Sequence, residues 1–446
     1  MFFQSTFLWS VLAFVSIQSL SLGEDTLSRR VQLGTQVQPV SEETRERLGL
    51  RNLRGVEVVS VLPDSTASQT GVLKGDVILG VDGVNVASPS GFVETVSAIR
   101  AGKEIQIRLN REGKELNLKC NPKELPRESS PDLDIEYASV SSKSGRMRTV
   151  LSMPKDQTKL PAFVLLSGLG NGPAEHPNAD PLGMKGIAYG LNRVGFAVFR
   201  VDKPGCGDSE GGPAKDADFE SVVDGYVAAV RELKKNPRVD ATQIFLLGAS
   251  MGGVQAPLVA KQETVTGIAV FGAMSCNWSE YLQSTTRRQM LLSGVGVGQI
   301  EQEVVLQSAG WHYLGYEKMA PDDIAERHPE LIGWVEQNWS DGKYFSGIHY
   351  KFFQQLCKTN VAEAWEAFDG PVFSIWGDGD IVTSAEDHEF LASIANRKQQ
   401  GKGEFKKLLG VEHNLSQVPS GEPAAEMLVG AVDEWAKRNL KAKDVK

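Results

Sequence analysis

Two serines of this chain lie in the pattern Gly-x-Ser-x-Gly, which can present a serine as a nucleophile. Residues 248–252 read Gly-Ala-Ser-Met-Gly around Ser250, and residues 207–211 read Gly-Asp-Ser-Glu-Gly around Ser209. The glycines allow a sharp turn between a strand and a helix, which exposes the hydroxyl for attack on an acyl carbonyl. Because the chain has 45 glycines, the spacing alone does not separate the two motifs.

The surroundings of the two motifs favour Ser250. The apolar run Ile-Phe-Leu-Leu at 244–247 ends directly before its motif, and the residues from Gly252 onward are typical of a helix. A strand, a turn and a helix in succession place the positive end of the helix beside the hydroxyl. Ser209 follows a strand only after the loop at 203–207, and no helix starts behind it. We therefore expect Ser250 to be the nucleophile and Ser209 to be a loop residue.

A serine hydroxyl needs a base, and the chain has six histidines. His413 directly follows the strand-like residues 405–409 and precedes the last predicted helix, which suits a base carried on a loop after a late strand. His176 lies in a loop after an earlier strand and could line the pocket. For the remaining four we expect a surface role: His312, His328, His349 and His388.

A carboxylate beside the histidine would hold the imidazole in the required tautomer and stabilise its charge. The segment 376–382, at the end of a predicted strand, offers Asp378 and Asp380. Asp380 is favoured because Gly-x-x-Asp followed by small apolar residues resembles the usual acid loop of the α/β-hydrolase fold, and Asp378 stays as the alternative. The Asp-x-Asp spacing is also found in metal sites, but no further ligands cluster nearby. We therefore predict neither a metal site nor a cofactor.

The elements around these residues alternate between strands and helices, which indicates a mostly parallel α/β sheet. Uninterrupted apolar runs are typical of strands covered on both faces. The predicted strands are residues 162–166, 196–201, 244–247, 267–271 and 372–376, and the predicted helices are 184–193, 219–235 and 252–261. About a hundred residues separate the last two strands, which is too long for a plain crossover. We interpret residues 277–368 as an inserted helical lid, with a helical subdomain that has no lid function as the alternative.

The region before residue 121 differs from this second block. It has short β-like runs at 56–61, 77–81 and 104–109 and a helical segment at 90–99. A polar stretch at 121–134, in which prolines recur, is typical of a linker. We therefore predict domains at residues 35–120 and 135–442.

Residues 59–79 of the first domain read Val-Ser-Val-Leu-Pro-Asp-Ser-Thr-Ala-Ser-Gln-Thr-Gly-Val-Leu-Lys-Gly-Asp-Val-Ile-Leu. In this stretch the domain resembles a PDZ domain of the type attached to bacterial exported proteases. It implies binding of an extended peptide, often a C-terminus, as an added strand at a sheet edge. It also implies a carboxylate-binding loop formed by Leu53, Arg54, Gly55 and Val56. The alternative is a PDZ domain that only packs against the second domain.

The second domain resembles the α/β-hydrolase superfamily, nearest to its dienelactone-hydrolase-like and acyl-esterase or peptidase branches. The segments at 167–170, 202–209 and 248–252, together with Asp380 and His413, follow the order of that fold. The resemblance implies an oxyanion hole made by the backbone N–H groups of Leu169 and Met251. The fold class expected is thus an α/β-hydrolase sheet with a helical lid insertion, preceded by a small β-rich PDZ domain.

Composition and charge restrict the partners and the location. The net charge of −9 argues against nucleic acid or anionic lipid as an obligate partner. The apolar run at 7–17, followed by small residues up to residue 23, predicts a cleaved export signal, although no Lys or Arg precedes Arg29. An uncleaved anchor is the alternative. We expect a periplasmic or extracellular protein with no integral membrane span after signal removal, in which the four cysteines could form one or two disulfides.

These features together predict an exported serine hydrolase that cleaves a carboxylic ester through an acyl-enzyme at Ser250. The substrate would be a small-molecule or polypeptide acyl compound, and the PDZ domain would hold a peptide C-terminus. A serine peptidase of the same fold is the first alternative. A non-catalytic PDZ binding protein is the second, and the complete set of serine, acid, base and oxyanion loop argues against it.

Overall fold

A computed structural model of the protein describes residues 27–48, 54–177 and 183–440. The predicted export signal at 1–23 and Leu53 of the predicted peptide loop lie outside the described residues. The described chain forms a smaller β-rich part and a larger α/β part, each built around its own main sheet.

The β-rich part contains a sheet in the order β1-β2-β3-β5-β6, with β4 paired to β3. Its strands are β1 (Thr35–Pro39), β2 (Val56–Val61), β3 (Val77–Val81), β4 (Val84–Asn85), β5 (Ile105–Arg111) and β6 (Lys114–Cys120). Its helices are α1 (Glu42–Arg47), α2 (Thr66–Thr70) and α3 (Pro89–Ala98). The three strands and the helix predicted here are present, with ends shifted by two residues at most.

The larger sheet has eight strands in the order β16-β15-β12-β11-β9-β10-β8-β7. They are β7 (Leu133–Ser142), β8 (Gly145–Pro154), β9 (Leu160–Leu166), β10 (Ala197–Val201), β11 (Val239–Ala249), β12 (Gly267–Phe271), β15 (Val372–Gly377) and β16 (Gly403–Leu408). From β16 to β10 in this order the neighbouring strands pair in parallel, whereas β8 is antiparallel both to β10 and to β7. The carboxyl ends of the parallel strands therefore meet at one edge, where ligands bind in open α/β sheets.

Helices cover both faces of the larger sheet. On one face lie α5 (Phe219–Leu233), α6 (Met251–Ala260) and α13 (Ala385–Lys398), and on the other lie α4 (Met184–Arg193) and α14 (Ala425–Asn439). Short 3₁₀ turns occur at Ala214–Asp216 and Pro329–Leu331. Because both faces are buried, the inner parallel strands carry apolar runs, as predicted, whereas the edge strand β16 has the sequence Gly-Glu-Phe-Lys-Lys-Leu. The predicted fold class is confirmed.

The insertion between β12 and β15 packs on the α5 side of the sheet. It consists of α7 (Trp278–Leu292), α8 (Val297–Gly315), α9 (Pro321–Arg327), α10 (Ile332–Asn338), the hairpin β13 (Tyr344–Phe345) and β14 (Ile348–His349), α11 (Tyr350–Lys358) and α12 (Val361–Ala367). Six aromatic rings form its centre, and the centroids of neighbouring rings lie between 5.3 and 6.5 Å apart: Trp278, Trp311, Trp334, Trp339, Phe345 and Phe353. This aromatic cluster gives the insertion a core that is continuous with one side of the sheet.

A buried network of charges joins the two parts. The Arg29 guanidinium donates to the Glu175 carboxylate and, at 2.7 Å, to Asp208. Arg30 pairs with the same two carboxylates, and Arg148 of β8 reaches Asp208 at 3.3 Å. The segment before β1 is thereby anchored to the loops that follow β9 and β10.

Candidate active site

Ser250 lies at the turn between β11 and α6. Its backbone is in a strained conformation, with φ at 51° and ψ at −120°. The Ser250 N–H donates to the Phe271 carbonyl at 2.9 Å, and the Ser250 carbonyl accepts from Gly253 N–H at 2.8 Å. These bonds hold a conformation that a non-glycine residue rarely adopts. The turn therefore presents the Ser250 side chain at the carboxyl edge of the sheet.

The two glycines of this motif are required by close backbone contacts. A Cβ atom on Gly248 would lie 2.6 Å from the Gly252 carbonyl carbon, and one on Gly252 would overlap with the Leu166 carbonyl. The turn thus packs directly on the end of β9. No larger side chain fits at either position without a shift of the backbone.

Ser209 has a different environment. It is buried in the loop after β10, and its hydroxyl accepts a hydrogen bond from the Arg148 N–H at 2.9 Å. The adjacent Asp208 carboxylate belongs to the charge network around Arg29. Ser209 therefore stabilises the loop against β8, and its placement agrees with the loop position predicted for it.

His413 bridges Ser250 and Asp380. Its Nε2 lies 3.0 Å from Ser250 Oγ, and its Nδ1 lies 2.8 Å from Asp380 Oδ2. The histidine is carried by the loop after β16, which turns back through a bond from Glu412 N–H to the Ser416 carbonyl. The three residues that the sequence predicts as nucleophile, base and acid are thus brought into one hydrogen-bonded chain.

Gly272 is a residue of this site that the sequence analysis missed. It follows β12 with φ at 61°, and a Cβ atom there would lie 2.9 Å from His413 Nδ1. A side chain at this position would therefore push the imidazole away from Asp380. The Phe-Gly pair at a strand end is the available signal, but its importance appears only when His413 is in place.

Asp380 is held by four hydrogen bonds. Its Oδ1 accepts from Val382 N–H at 2.7 Å and Thr383 N–H at 2.9 Å, and its Oδ2 accepts from Thr383 Oγ1 at 2.6 Å and from His413. Burial alone would raise the pKa of Asp380, but the bonds from His413 and Thr383 outweigh it and hold the pKa below its usual value. Asp378 is exposed and accepts from Gly410 N–H at 2.6 Å. The structure thus joins Asp380, and not Asp378, to His413.

Leu169 and Met251 border the same cavity as Ser250. Met251 is the first residue of α6, where backbone N–H groups have no partner within the helix. Leu169 follows Gly168, whose position for a Cβ atom lies 3.2 Å from Ser250 Cβ. The start of this loop is anchored because Ser167 N–H donates to Tyr226 Oη at 3.0 Å. Both predicted oxyanion donors are therefore adjacent to Ser250.

The cavity beside Ser250 has a volume of about 410 Å³ and a mainly apolar wall. Trp278 and Tyr281 of α7 form the side contributed by the insertion. Burial raises the pKa of Tyr281 to about 12, so its hydroxyl is neutral at ordinary pH. Among the described residues, no Asp, Glu, Lys or Arg lines the cavity. The residues that line it are Gly168, Leu169, Gly183, Met184, Ile187, Ala249, Ser250, Met251, Phe271, Trp278, Tyr281, Val382, His413, Asn414 and Leu415.

The other histidines lie elsewhere. His176 does not line the cavity, and its backbone N–H donates to Glu128 at 2.7 Å. His312, His328 and His349 are in the insertion, as predicted. The surface role expected for His388 is wrong: it is fully buried in α13, with Nδ1 2.7 Å from Ser374 Oγ. Helical periodicity turns this residue toward the sheet, and burial lowers its pKa to about 4.

The structure leaves no free strand edge at Val56 of the predicted peptide-binding loop. Val56 pairs with Pro39 of β1 on one side and with Ile78 of β3 on the other, so it has no free edge. Gly55 is packed against β3, since a Cβ atom there would lie 2.6 Å from the Ile78 carbonyl oxygen. Strand addition needs unpaired backbone groups. Those are available at β1, which is an edge strand of this sheet.

The structure also bears on the cysteines, on metal-binding groups and on membrane-spanning helices. All four cysteines are in the described part of the chain and are free thiols, so the disulfides considered from the sequence are not formed. The described residues contain no group of three or more His, Cys, Asp or Glu side chains arranged to hold a metal ion. Among the described helices, none is both long and apolar enough to cross a bilayer.

The chain has sequence similarity to curated periplasmic proteins. It is 31% identical over 97 residues to a probable periplasmic serine endoprotease DegP-like of Halomonas elongata, covering 22% of this chain and 20% of the relative. It is 35% identical over 94 residues to a protein of the same description from Rhizobium meliloti, covering 21% of this chain and 19% of the relative. The chain thus spans about a fifth of the length of these relatives.

Similarity to solved structures covers a larger share of the chain. Est1E from Butyrivibrio proteoclasticus with ferulic acid bound matches with a TM-score of 0.44 and 16% identity, covering 68% of this chain and 98% of that chain. The structure of DcsB in complex with its substrate analogue matches with a TM-score of 0.45 and 19% identity, covering 69% of this chain and 99% of that chain.

Two family models match the chain. The PDZ domain model matches residues 31–121, so the β-rich part is a PDZ domain. The model for serine aminopeptidase, S33, matches residues 182–415, just over half of the chain, and includes Ser250, Asp380 and His413. The protein therefore belongs to the S33 serine aminopeptidase family of α/β hydrolases, and carries an N-terminal PDZ domain.

Proposed function

We propose that this protein is an exported serine hydrolase that cleaves a carboxylic ester through an acyl-enzyme at Ser250. The observation that carries the proposal is the chain of hydrogen bonds from Ser250 through His413 to Asp380. It lies at the carboxyl edge of the parallel sheet, beside an apolar cavity of about 410 Å³. Nucleophile, base and orienting acid are therefore within reach of one bound substrate.

In this proposal, Ser250 Oγ attacks the acyl carbonyl while His413 Nε2 takes the hydroxyl proton. The 3.0 Å distance between these atoms is within the range for proton transfer by a general base. Asp380 accepts from His413 Nδ1, which fixes the tautomer whose Nε2 lone pair faces the serine. Because the low pKa of Asp380 keeps it ionised, it also stabilises the imidazolium that forms.

The negative oxygen of the tetrahedral intermediate would be stabilised by the N–H groups of Leu169 and Met251. The Met251 N–H also lies at the positive end of α6. His413 then returns its proton to the leaving alcohol, and the acyl group stays on Ser250. A water molecule, activated by the same histidine, completes the reaction by releasing the acid.

The lining of the cavity supports an ester with an uncharged acyl group. An aminopeptidase substrate brings an α-ammonium group next to the scissile bond, and burying an unpaired ammonium is costly. None of the described lining residues supplies a carboxylate that could pair with it. An apolar acyl chain or ring instead gains from contact with Phe271 and Trp278.

Peptide cleavage is the second candidate, because the family is described by its aminopeptidases and the chain carries a PDZ domain. In that case the PDZ domain would deliver polypeptide termini. We place the bound peptide along the free edge of β1, as an additional strand. The periplasmic relatives and the apolar N-terminal run both support export.

We also propose that the insertion acts as a lid, since α7 contributes Trp278 and Tyr281 to the cavity wall. The same helix contacts the acid loop, where Thr285 Oγ1 donates to the Val382 carbonyl at 2.7 Å. A movement of α7 would therefore change both the cavity and the support of Asp380.

A fluorophosphonate probe tests the catalytic proposal. Wild-type protein should be labelled, and Ser250→Ala should not be. Ser209→Ala is the matched control, since it alters the other Gly-x-Ser-x-Gly serine and should be labelled at the wild-type rate. Equal labelling of wild type and Ser250→Ala would refute the proposal.

A substrate panel tests ester against peptide cleavage. p-Nitrophenyl esters of increasing acyl length should be compared with aminoacyl p-nitroanilides on the same enzyme. We expect kcat/KM to be higher for the esters and to rise with acyl length until the cavity is filled. A preference for aminoacyl amides relative to esters of matched side chain would favour the peptidase.

A further inference from the structure

The ammonium group of Lys203 binds the loop that carries Leu169. Its Nζ donates to the Gly168 carbonyl and, at 3.1 Å, to the Gly170 carbonyl, the two carbonyls that flank Leu169. Lys203 lies in the loop after β10, shortly before the Gly-x-Ser-x-Gly motif at 207–211. Among the described residues, no carboxylate forms an ion pair with this ammonium group.

The surroundings of Lys203 are largely apolar. Beside it lie Ala214, Ala217 and Val222 of the core face, and Ile348 and Phe352 of the insertion. Burial lowers the pKa of Lys203 to about 8, and the nearby Cys206 thiol opposes this effect. An ammonium kept in such surroundings needs acceptors, and the two carbonyls are the ones it has.

The other charged groups near this loop are engaged elsewhere. Of the neighbouring Asp202 carboxylate, Oδ1 accepts from the Ala174 N–H, and Oδ2 has no hydrogen-bond partner among the described residues. Asp216 accepts from the Tyr344 hydroxyl at 3.0 Å. The contacts that the insertion and α5 make with Lys203 are uncharged. The charge of Lys203 therefore acts mainly on the loop at 168–170.

A cation at the Gly168 carbonyl has two consequences for Leu169. In a trans peptide the C=O and the following N–H point in opposite directions, so fixing the carbonyl of Gly168 also fixes the direction of the Leu169 N–H. A cation on the carbonyl polarises the peptide and strengthens the N–H as a donor. Without this anchor the Gly-Leu-Gly segment is free to rotate, because glycines flank Leu169 on both sides.

We propose that Lys203 is a positioning residue for the reaction at Ser250: it fixes and polarises the peptide bond that supplies the Leu169 oxyanion donor. The inference rests on the proposed hydrolase function. Tyr226 holds the start of the same loop through Ser167, so Lys203 supplies the second anchor, directly beside the donor.

The test compares Lys203→Met with Lys185→Met. Lys185 is a matched control because its Nζ donates to the His176 carbonyl, at 2.8 Å, in the same β9–α4 connection but away from Leu169. Loss of one oxyanion donor lowers kcat by roughly 10²- to 10³-fold. We expect Lys203→Met to lose about 10²-fold in kcat with KM within about threefold, and Lys185→Met to keep wild-type kcat. Affinity for a boronic acid that mimics the tetrahedral intermediate should fall with kcat.

Several results would overturn the inference. One is a Lys203→Met enzyme with kcat within about fivefold of wild type. Another is a loss seen in KM alone, or an equal loss of kcat in Lys185→Met. If Lys203→Met does not fold, the wild-type pH profile decides: kcat should fall above pH 8 as the ammonium loses its proton, and a flat profile to pH 10 would contradict the role. Absence of labelling in wild type would instead refute the hydrolase proposal itself.

Discussion

Replacing Asp380 by asparagine should remove most of the activity while leaving the fold intact. In the protein, Oδ1 of Asp380 accepts two backbone N–H bonds, from Val382 and Thr383. The amide oxygen of asparagine must take this place, because an NH₂ group there would leave two buried donors unpaired, at about 1–3 kcal/mol each. The NH₂ group of the variant then faces His413 Nδ1.

This orientation forces the wrong tautomer on His413. With a donor facing Nδ1, the imidazole carries its proton on Nε2, which lies 3.0 Å from Ser250 Oγ and can no longer accept from it. The corresponding change in a serine protease lowers kcat by about 10⁴-fold. A loss of this size equals about 5.5 kcal/mol of transition-state stabilisation, and we expect the same order here.

The assay is kcat on a p-nitrophenyl ester at pH 7–8, together with the rate of fluorophosphonate labelling. Asp378→Asn is the matched control, because asparagine can still accept from Gly410 N–H and this residue does not contact His413. It should stay within about twofold of wild type. If Asp380→Asn kept more than about a hundredth of wild-type kcat, or Asp378→Asn lost as much, the assignment of the acid would be wrong.

Three further predictions concern stability. Gly252→Ala should lower the free energy of unfolding by about 3 kcal/mol and abolish labelling, because the new methyl group overlaps with the Leu166 carbonyl. His388 is buried with a pKa of about 4, so between pH 6.5 and pH 4 the unfolded state binds a proton at this residue that the folded state does not bind. The free energy of unfolding should therefore fall by up to about 3 kcal/mol as the pH drops from 6.5 to 4, and His388→Gln should remove this contribution. Arg29→Met should cost about 3 kcal/mol, because Glu175 loses a buried partner.

Each of these predictions has a control within the chain, and urea unfolding is the measurement for all. Gly430→Ala adds a methyl group on α14 with no atom within 4 Å, and should be neutral or slightly stabilising. His312→Gln changes an exposed histidine and should keep the wild-type pH dependence. Arg287→Met breaks only the exposed pair with Glu301 and should cost less than about 1 kcal/mol. A control as destabilised as its partner variant would show that the stated contact is not the cause.

Much of the α/β fold could be predicted from the sequence because its signals are local. Continuous apolar runs marked the parallel strands, and the strand at Gly267–Phe271 and the helix at Met184–Arg193 have the predicted bounds. The hairpin of β7 and β8 was not predicted. Its inner strand carries Arg148, which is buried 3.3 Å from the Asp208 carboxylate of a distant loop. No local pattern distinguishes such an arginine from a surface residue.

Residues of the site were predicted where their neighbours in the sequence determine their position, and they were missed where tertiary contacts determine it. Ser250 and Asp380 stand at strand ends that their own neighbours mark. Gly272 and Lys203 act through atoms that are far away in sequence, at His413 and at the Gly168 carbonyl. The prediction of the peptide loop depends on tertiary contacts in the same way. Whether Val56 lies at a sheet edge depends on its two partner strands, and the sequence does not show which strands pair.

The motif around Ser209 shows why the Gly-x-Ser-x-Gly spacing alone could not identify the nucleophile. A Cβ atom on Gly207 would overlap with the Asp202 carboxylate, and Gly211 has a φ of 111°. These glycines are therefore required by the packing of their own loop, and Gly-x-Ser-x-Gly arises there without a nucleophile. That loop still contributes to the site, since Lys203 reaches the segment that carries Leu169. The loop after β10 is thus connected to the reaction centre through Lys203, whereas its Gly-x-Ser-x-Gly motif supplies no hydroxyl to it.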